Sequence, residues 1–156
     1  EATYGIGSCD VIVVPENSAN ARPLPETILA TIMQVKPVGV RFNVRLADKI
    51  SVGVNITITI PTGNSDTIIT GVQRQAELFV KRYLNSLTIG DAAEIAVIEQ
   101  NVRLSSDLIR GVTINSFTAD GTELSLENFN PNTVTKYITA GNVNVFAVII
   151  GASTTY

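Results

Sequence analysis

From Ile50 to Ile60 apolar and small polar residues alternate without a break. Side chains on a strand point to opposite faces in turn, so Ile50, Val52, Val54, Ile56, Ile58 and Ile60 share one face. Ser51, Gly53, Asn55, Thr57 and Thr59 share the other. No Lys, Glu or Pro interrupts the run. A long uncharged strand at an open sheet edge templates pairing with other chains. The pattern therefore predicts neighbours on both flanks, supplied by this chain or by a partner.

The next signal has a different period. Ile68, Ile69, Val72, Ala76, Phe79, Val80, Tyr83, Leu84 and Leu87 recur at helical spacing over about five turns. They predict an amphipathic helix over 66–87, laid on a sheet face, with Asn64 or Ser65 as its cap and Asp66 in its first turn. Ile28, Leu29, Ile32, Met33 and Val35 predict a helix that starts at Pro25 and stops at Lys36-Pro37. Strands at Cys9–Pro15 and Gly39–Leu46 make this beginning a strand–helix–strand unit. A shorter helix over 94–103 would turn Ile95, Ile98 and Val102 inward. Strands at 111–118 and 123–126 flank Ala119-Asp-Gly-Thr122, a hairpin cue because Asp and Gly both tolerate positive φ.

Residues 128–142, rich in Asn, Thr and Gly, read as a loop with room for a short element of its own. In the last strand, 143–150, Val143, Val145 and Ile149 oppose Phe146, Val148 and Ile150. A strand apolar on both faces is buried on both sides or pairs at an interface. The whole reads as an α+β chain of two small subdomains, 1–47 and 48–156, with a mixed or antiparallel sheet covered by amphipathic helices.

Composition bears on the surface. The chain has 156 residues, enough to bury roughly 68–70% of its unfolded surface. Charged residues make up 16% of it, against about 25% in a typical domain, which suggests that part of the surface is covered. The net charge is −3 with no basic cluster, so the footprint for nucleic acid or an anionic membrane is missing. Apolar runs fall well short of the ~20 residues of a membrane helix. With Glu rather than Met first and no leader-like segment, the chain is expected to be a fragment or a processed product of something larger. Cys9 is the only cysteine and there is no histidine. A lone thiol excludes an internal disulfide, fits a reducing intracellular setting, and here reads as a small buried hydrophobe.

Candidate chemistry is sparse. Asp91 and Glu94 could converge as an acid–base pair, although acids at a helix start suit the helix dipole equally well. Asp120, Glu123 and Glu127 lack calcium-loop spacing, and Gly5-Ile-Gly7 and Gly121 lack a phosphate-loop pattern. Tyr4, Tyr137 and Tyr156 are too dispersed for a base-stacking platform. The expectation is a structural protein, not an enzyme, with no catalytic residue, cofactor or metal.

Several short motifs recur in a recognisable order. Tyr4-Gly-Ile-Gly-Ser-Cys-Asp-Val-Ile-Val-Val-Pro15 precedes a helix, Lys36-Pro-Val-Gly39 and a strand with Val44. Then come the alternating strand, the long helix ending Tyr83-Leu-Asn-Ser-Leu87, Ile89-Gly90 and Arg110-Gly-Val112. In this order and spacing the chain up to residue 118 resembles the baseplate J-like family of contractile phage tails and related injection systems. Its T-even members are the wedge subunits of the baseplate inner ring.

The resemblance implies the C-terminal portion of a non-enzymatic scaffold that pairs with itself and with other wedge proteins. The ring so formed surrounds the tail hub and rearranges on sheath contraction. The implied location is the virion tail baseplate, assembled in the host cytoplasm, and the family supplies no catalytic residues. A dimer or larger assembly is expected, with Val143, Val145, Phe146, Ile149 and Tyr156 as interface candidates. The alternative is a carbohydrate-binding module of a phage tail using 128–142, where Phe129 and Tyr137 are the only aromatics and no Trp is present.

Overall fold

A computed structural model describes residues 7–15, 24–35, 39–131 and 135–151. The protein is α+β and divides into two units, Glu1–Asp48 and Lys49–Tyr156. In the first, β1 (Ser8–Val13) and β2 (Arg41–Leu46) pair in parallel, with Val11 opposite Val44, and α1 (Leu24–Val35) connects them. A parallel pair needs such a crossover, because a tight turn returns the chain antiparallel. Pro25 sits in the first turn of α1, where a missing N–H costs nothing. Asn43 Nδ2 donates to Asp10 Oδ1 at 3.1 Å, and Arg45 reaches Asp10 at 3.8 Å. Cys9 is exposed, not the buried hydrophobe expected from the sequence. It lies near the start of a sheet that has two strands among the described residues, with no interior strand to enclose it.

The second unit contains β3 (Asp48–Pro61), α2 (Asp66–Ser86), α3 (Ile95–Ser105), β4 (Gly111–Ala119), β5 (Thr122–Leu124) and β6 (Lys136–Ile150). The strand order is β5-β4-β3-β6, with β4 antiparallel to both β3 and β5. At one end Gly53 lies against Asn142 and Gly141 against Val52; at the other Thr62 N donates to Ile150 O at 3.1 Å. Both strands therefore advance together, and β6 is parallel to β3. The sheet is mixed, and β3 has a strand on each flank from its own chain.

Helices α2 and α3 pack on one face of this sheet, α2 over β6 and α3 over β4. All six residues of the apolar face of β3 are buried, in one cluster with Ile69, Val72, Ala76, Val80 and Leu84 of α2 and Ile98 and Val102 of α3. Burying each Ile or Val stabilises the fold by about 1.5–3 kcal/mol relative to leaving it exposed. Ser65 precedes α2 in an extended conformation without a side-chain cap bond, and Asn64 Nδ2 instead donates to Pro61 O at 2.9 Å.

The apolar pattern of β4 changes parity, with Val112 and Ile114 at even positions and Phe117 and Ala119 at odd ones. A bulge absorbs the mismatch. Val54 pairs with Phe117 and Asn55 with Ser116, but Ile56 pairs with Ile114, leaving Asn115 as the extra residue. Both halves of β4 can then face the core. At the tip of the β4–β5 hairpin Asp120 and Gly121 take φ of 49° and 82°, the two positive values that a tight two-residue turn needs. Asp120 also exchanges hydrogen bonds with Ser51: its N donates to Ser51 O, and its Oδ1 accepts from Ser51 N, both at 2.8 Å.

The opposite face of the sheet is polar and laced together. Asn144 Nδ2 donates to Asn55 Oδ1 (2.9 Å), Asn55 Nδ2 to Ser116 Oγ (2.7 Å), and Asn115 Nδ2 to Thr57 Oγ1 (2.6 Å). The belt spans β6, β3 and β4, so the polar side of the alternating strand satisfies itself.

The loop expected over 128–142 is largely something else. Phe129 and Ala93 exchange backbone hydrogen bonds at 2.8 and 2.9 Å, and β6 is already under way at Lys136. Ile138 and Ala140 turn to the core before Gly141, and Val143 and Val145 after it. This second change of parity hid the first half of the strand. Gly141 permits it by coming within van der Waals range of Ser51 and Val52, where a side chain has no room.

Candidate functional site

A β-strand places the N–H and C=O of one residue on the same side, and alternates sides along the chain. Ile150 O accepts from Thr62 on the β3 side. Phe146, Val148 and Ile150 therefore direct their backbone groups to β3, while Val145, Ala147 and Ile149 direct theirs away. Among the described residues β6 ends the sheet on that side.

Helix α2 covers part of this edge. Asn85 Oδ1 accepts from Ala140 N, and Gln73 Nε2 donates to Val145 O, both at 2.9 Å. Ala147 and Ile149 lie beyond that cover. Natural edges are usually guarded by Lys, Pro or inward-pointing charge. Here Lys136 is the last charged residue of the sequence, and 137–156 carry neither charge nor proline.

The side chains around the open stretch are apolar and accessible. Phe146 is 54% exposed, Val148 48%, Ile149 50% and Ile150 48%. Of the five interface candidates, Val143 and Val145 are 4% and 6% exposed and belong to the core beneath the helices. Phe146 and Ile149 are accessible, on opposite faces, and Tyr156 lies outside the described residues. Val148 and Ile150 complete the accessible set. The alternation along 143–150 already separated these two faces, but nothing local says which one the helices cover.

The chain matches no protein-family model and no curated protein. Among the described residues no helix is long and apolar enough to cross a membrane, and no group of three His, Cys, Asp or Glu is placed to hold a metal ion.

Asp91 and Glu94 have separate roles. Asp91 Oδ2 accepts from Thr88 N and from Thr88 Oγ1, each at 2.7 Å, closing the turn that leads toward α3. Glu94 occupies the cap position of α3, and its N–H donates to Tyr83 Oη at 3.0 Å. The Thr88 backbone N–H, and after it the Thr88 hydroxyl, hold the Asp91 carboxyl below the ordinary aspartate value. A depressed carboxyl pKa stabilises the fold above the unfolded value, and that contribution is lost as pH falls through the folded one. In a carboxyl-carbon NMR titration Asp91 is expected to have a midpoint below that of a free aspartate. Thr88→Val should raise it only part of the way, because the backbone N–H remains; an unchanged midpoint would remove the hydroxyl from this account.

Proposed function

We propose that this chain is a structural, non-enzymatic component of a contractile-tail baseplate wedge, joining copies of itself and other wedge proteins into a ring that rearranges on sheath contraction. The observation that carries the assembly role is the open end of β6. Among the described residues it offers unpaired backbone groups and four accessible apolar side chains in a segment without charge. A protein that functioned alone would be exposed there to indiscriminate edge pairing. The motif order from Tyr4 to Val112 supports the baseplate as the setting, with assembly in the host cytoplasm and residence in the virion tail. On the face away from the helices the polar belt is bonded within itself, which leaves the apolar side chains of Phe146, Val148 and Ile150 along β6 as the more available contact.

The test is location. Gold-labelled antibody against this chain, applied to purified contractile tails from the source that encodes it, should decorate the baseplate end. Tails without label, with the protein recovered outside the particles, would overturn the assignment.

A further inference from the structure

We infer that two copies of this chain pair through β6, antiparallel about a two-fold axis at Val148. The inference rests on the assembly reading and names the first partner as a second copy. Three observations select it.

Among the described residues the open backbone groups belong to Ala147 and Ile149, two residues apart on the side away from β3. In an antiparallel pairing centred on Val148, Ala147 of each copy exchanges N–H···O=C bonds with Ile149 of the other. This register uses the open groups and leaves the Gln73 bond to Val145 O in place.

The same register matches side chains. On the face shared by Phe146, Val148 and Ile150, Phe146 meets Ile150 of the second copy and Val148 meets Val148. Aromatic and β-branched residues are the pairs that most stabilise cross-strand contacts. Every exposed apolar residue of that face in one copy thus gains an apolar cross-strand neighbour from the other.

Charge does not oppose the pairing. No charged residue follows Lys136, so a two-fold through Val148 brings no like charges of the strand together. Any strand can add to an open edge, and what points to a second copy is this self-complementarity.

Sedimentation velocity of the 156-residue chain should show a dimer. Val148→Lys places two ammonium groups opposite each other at the axis and should give a monomer with an unchanged far-UV circular dichroism spectrum. Register is read by cross-linking in a Cys9→Ser background. Val148→Cys places its Cα about 4.5 Å from its equivalent, a non-hydrogen-bonded pair within disulfide range, so a linked dimer should form on oxidation. Phe146→Cys lies roughly 13 Å from its equivalent and should not link. A monomeric parent chain overturns the inference, as does a Val148→Lys dimer or linking at 146 as readily as at 148. A dimer that survives Val148→Lys leaves the assembly reading standing and overturns only this route to it. Failure of that reading shows independently, in the labelling of tails.

Discussion

Replacing Phe117 with Ala is expected to destabilise the Lys49–Tyr156 unit by about 3–5 kcal/mol, the range for a large aromatic removed from a packed core. Phe117 is fully buried and pairs across the sheet with Val54. It belongs to the same cluster as the apolar face of β3 and the inner faces of α2 and α3. Its loss leaves a cavity in the core between the sheet and the helices. Urea unfolding followed by circular dichroism reads the effect as a lower midpoint at an unchanged slope. Thr113→Ala, on the exposed side of β4, serves as the control and should stay within about 0.5 kcal/mol of the parent. A Phe117→Ala variant as stable as that control would mean that the bulge at Asn115 does not turn Phe117 inward.

Gly141→Ala is expected to cost about 1–3 kcal/mol, as overpacking does, with the damage concentrated where β6 joins β3. A Cβ at 141 would lie 2.6 Å from Ser51 Oγ, 3.0 Å from Val52 O and 3.2 Å from the Val52 carbonyl carbon. The serine hydroxyl can rotate away, but the Val52 backbone belongs to the central strand and cannot. Adding Ser51→Gly should therefore restore only part of the loss. Gly151→Ala, where a Cβ would meet nothing within 4 Å, should leave stability unchanged. Hydrogen exchange gives the local reading: amides of β6 should lose protection before those of β4. Full rescue by Ser51→Gly would place the strain in the hydroxyl contact instead of the β3–β6 backbone approach.

Elements with one uninterrupted period were legible in the sequence. The alternation of 50–60 states its own burial completely. The helical spacing of 66–87 does so for Ile69, Val72, Ala76, Val80 and Leu84, with Tyr83 and Leu87 packed against them, whereas Ile68 is exposed and Phe79 lies outside the core cluster. The Asp120-Gly121 hairpin was legible because positive φ restricts residue choice. Parity changes were harder to read. In β4 the extra Asn115 breaks the alternation between Ile114 and Phe117, a break that shows only once the partner strand fixes the register. In β6 the change at Gly141 made Lys136–Asn142 resemble a loop, since Asn, Thr and Gly there reflect a close approach to β3. The candidate site was half visible for a related reason. A strand apolar on both faces announces an unusual environment, but whether α2 covers Val143 and Val145 or Phe146 and Val148 depends on contacts far away in sequence. Cys9 was misjudged because buriedness was inferred from residue type, and its sheet, two-stranded among the described residues, is too small to enclose it.

The flanks of β3 carry a cost in time as well as in sequence. Its hydrogen-bonded partners on the polar belt lie 61 residues later at Ser116 and 89 residues later at Asn144. Loops of that length must close before either flank is protected, and such long-range pairings make folding slow. On the ribosome the alternating strand is made first, β4 reaches it next, and β6 arrives only after both. Throughout that interval one side of an isoleucine-rich strand stands open to any other nascent chain nearby. A message or polypeptide cut short before β6 would leave that opening permanent, so incomplete chains of this protein should be the ones that precipitate.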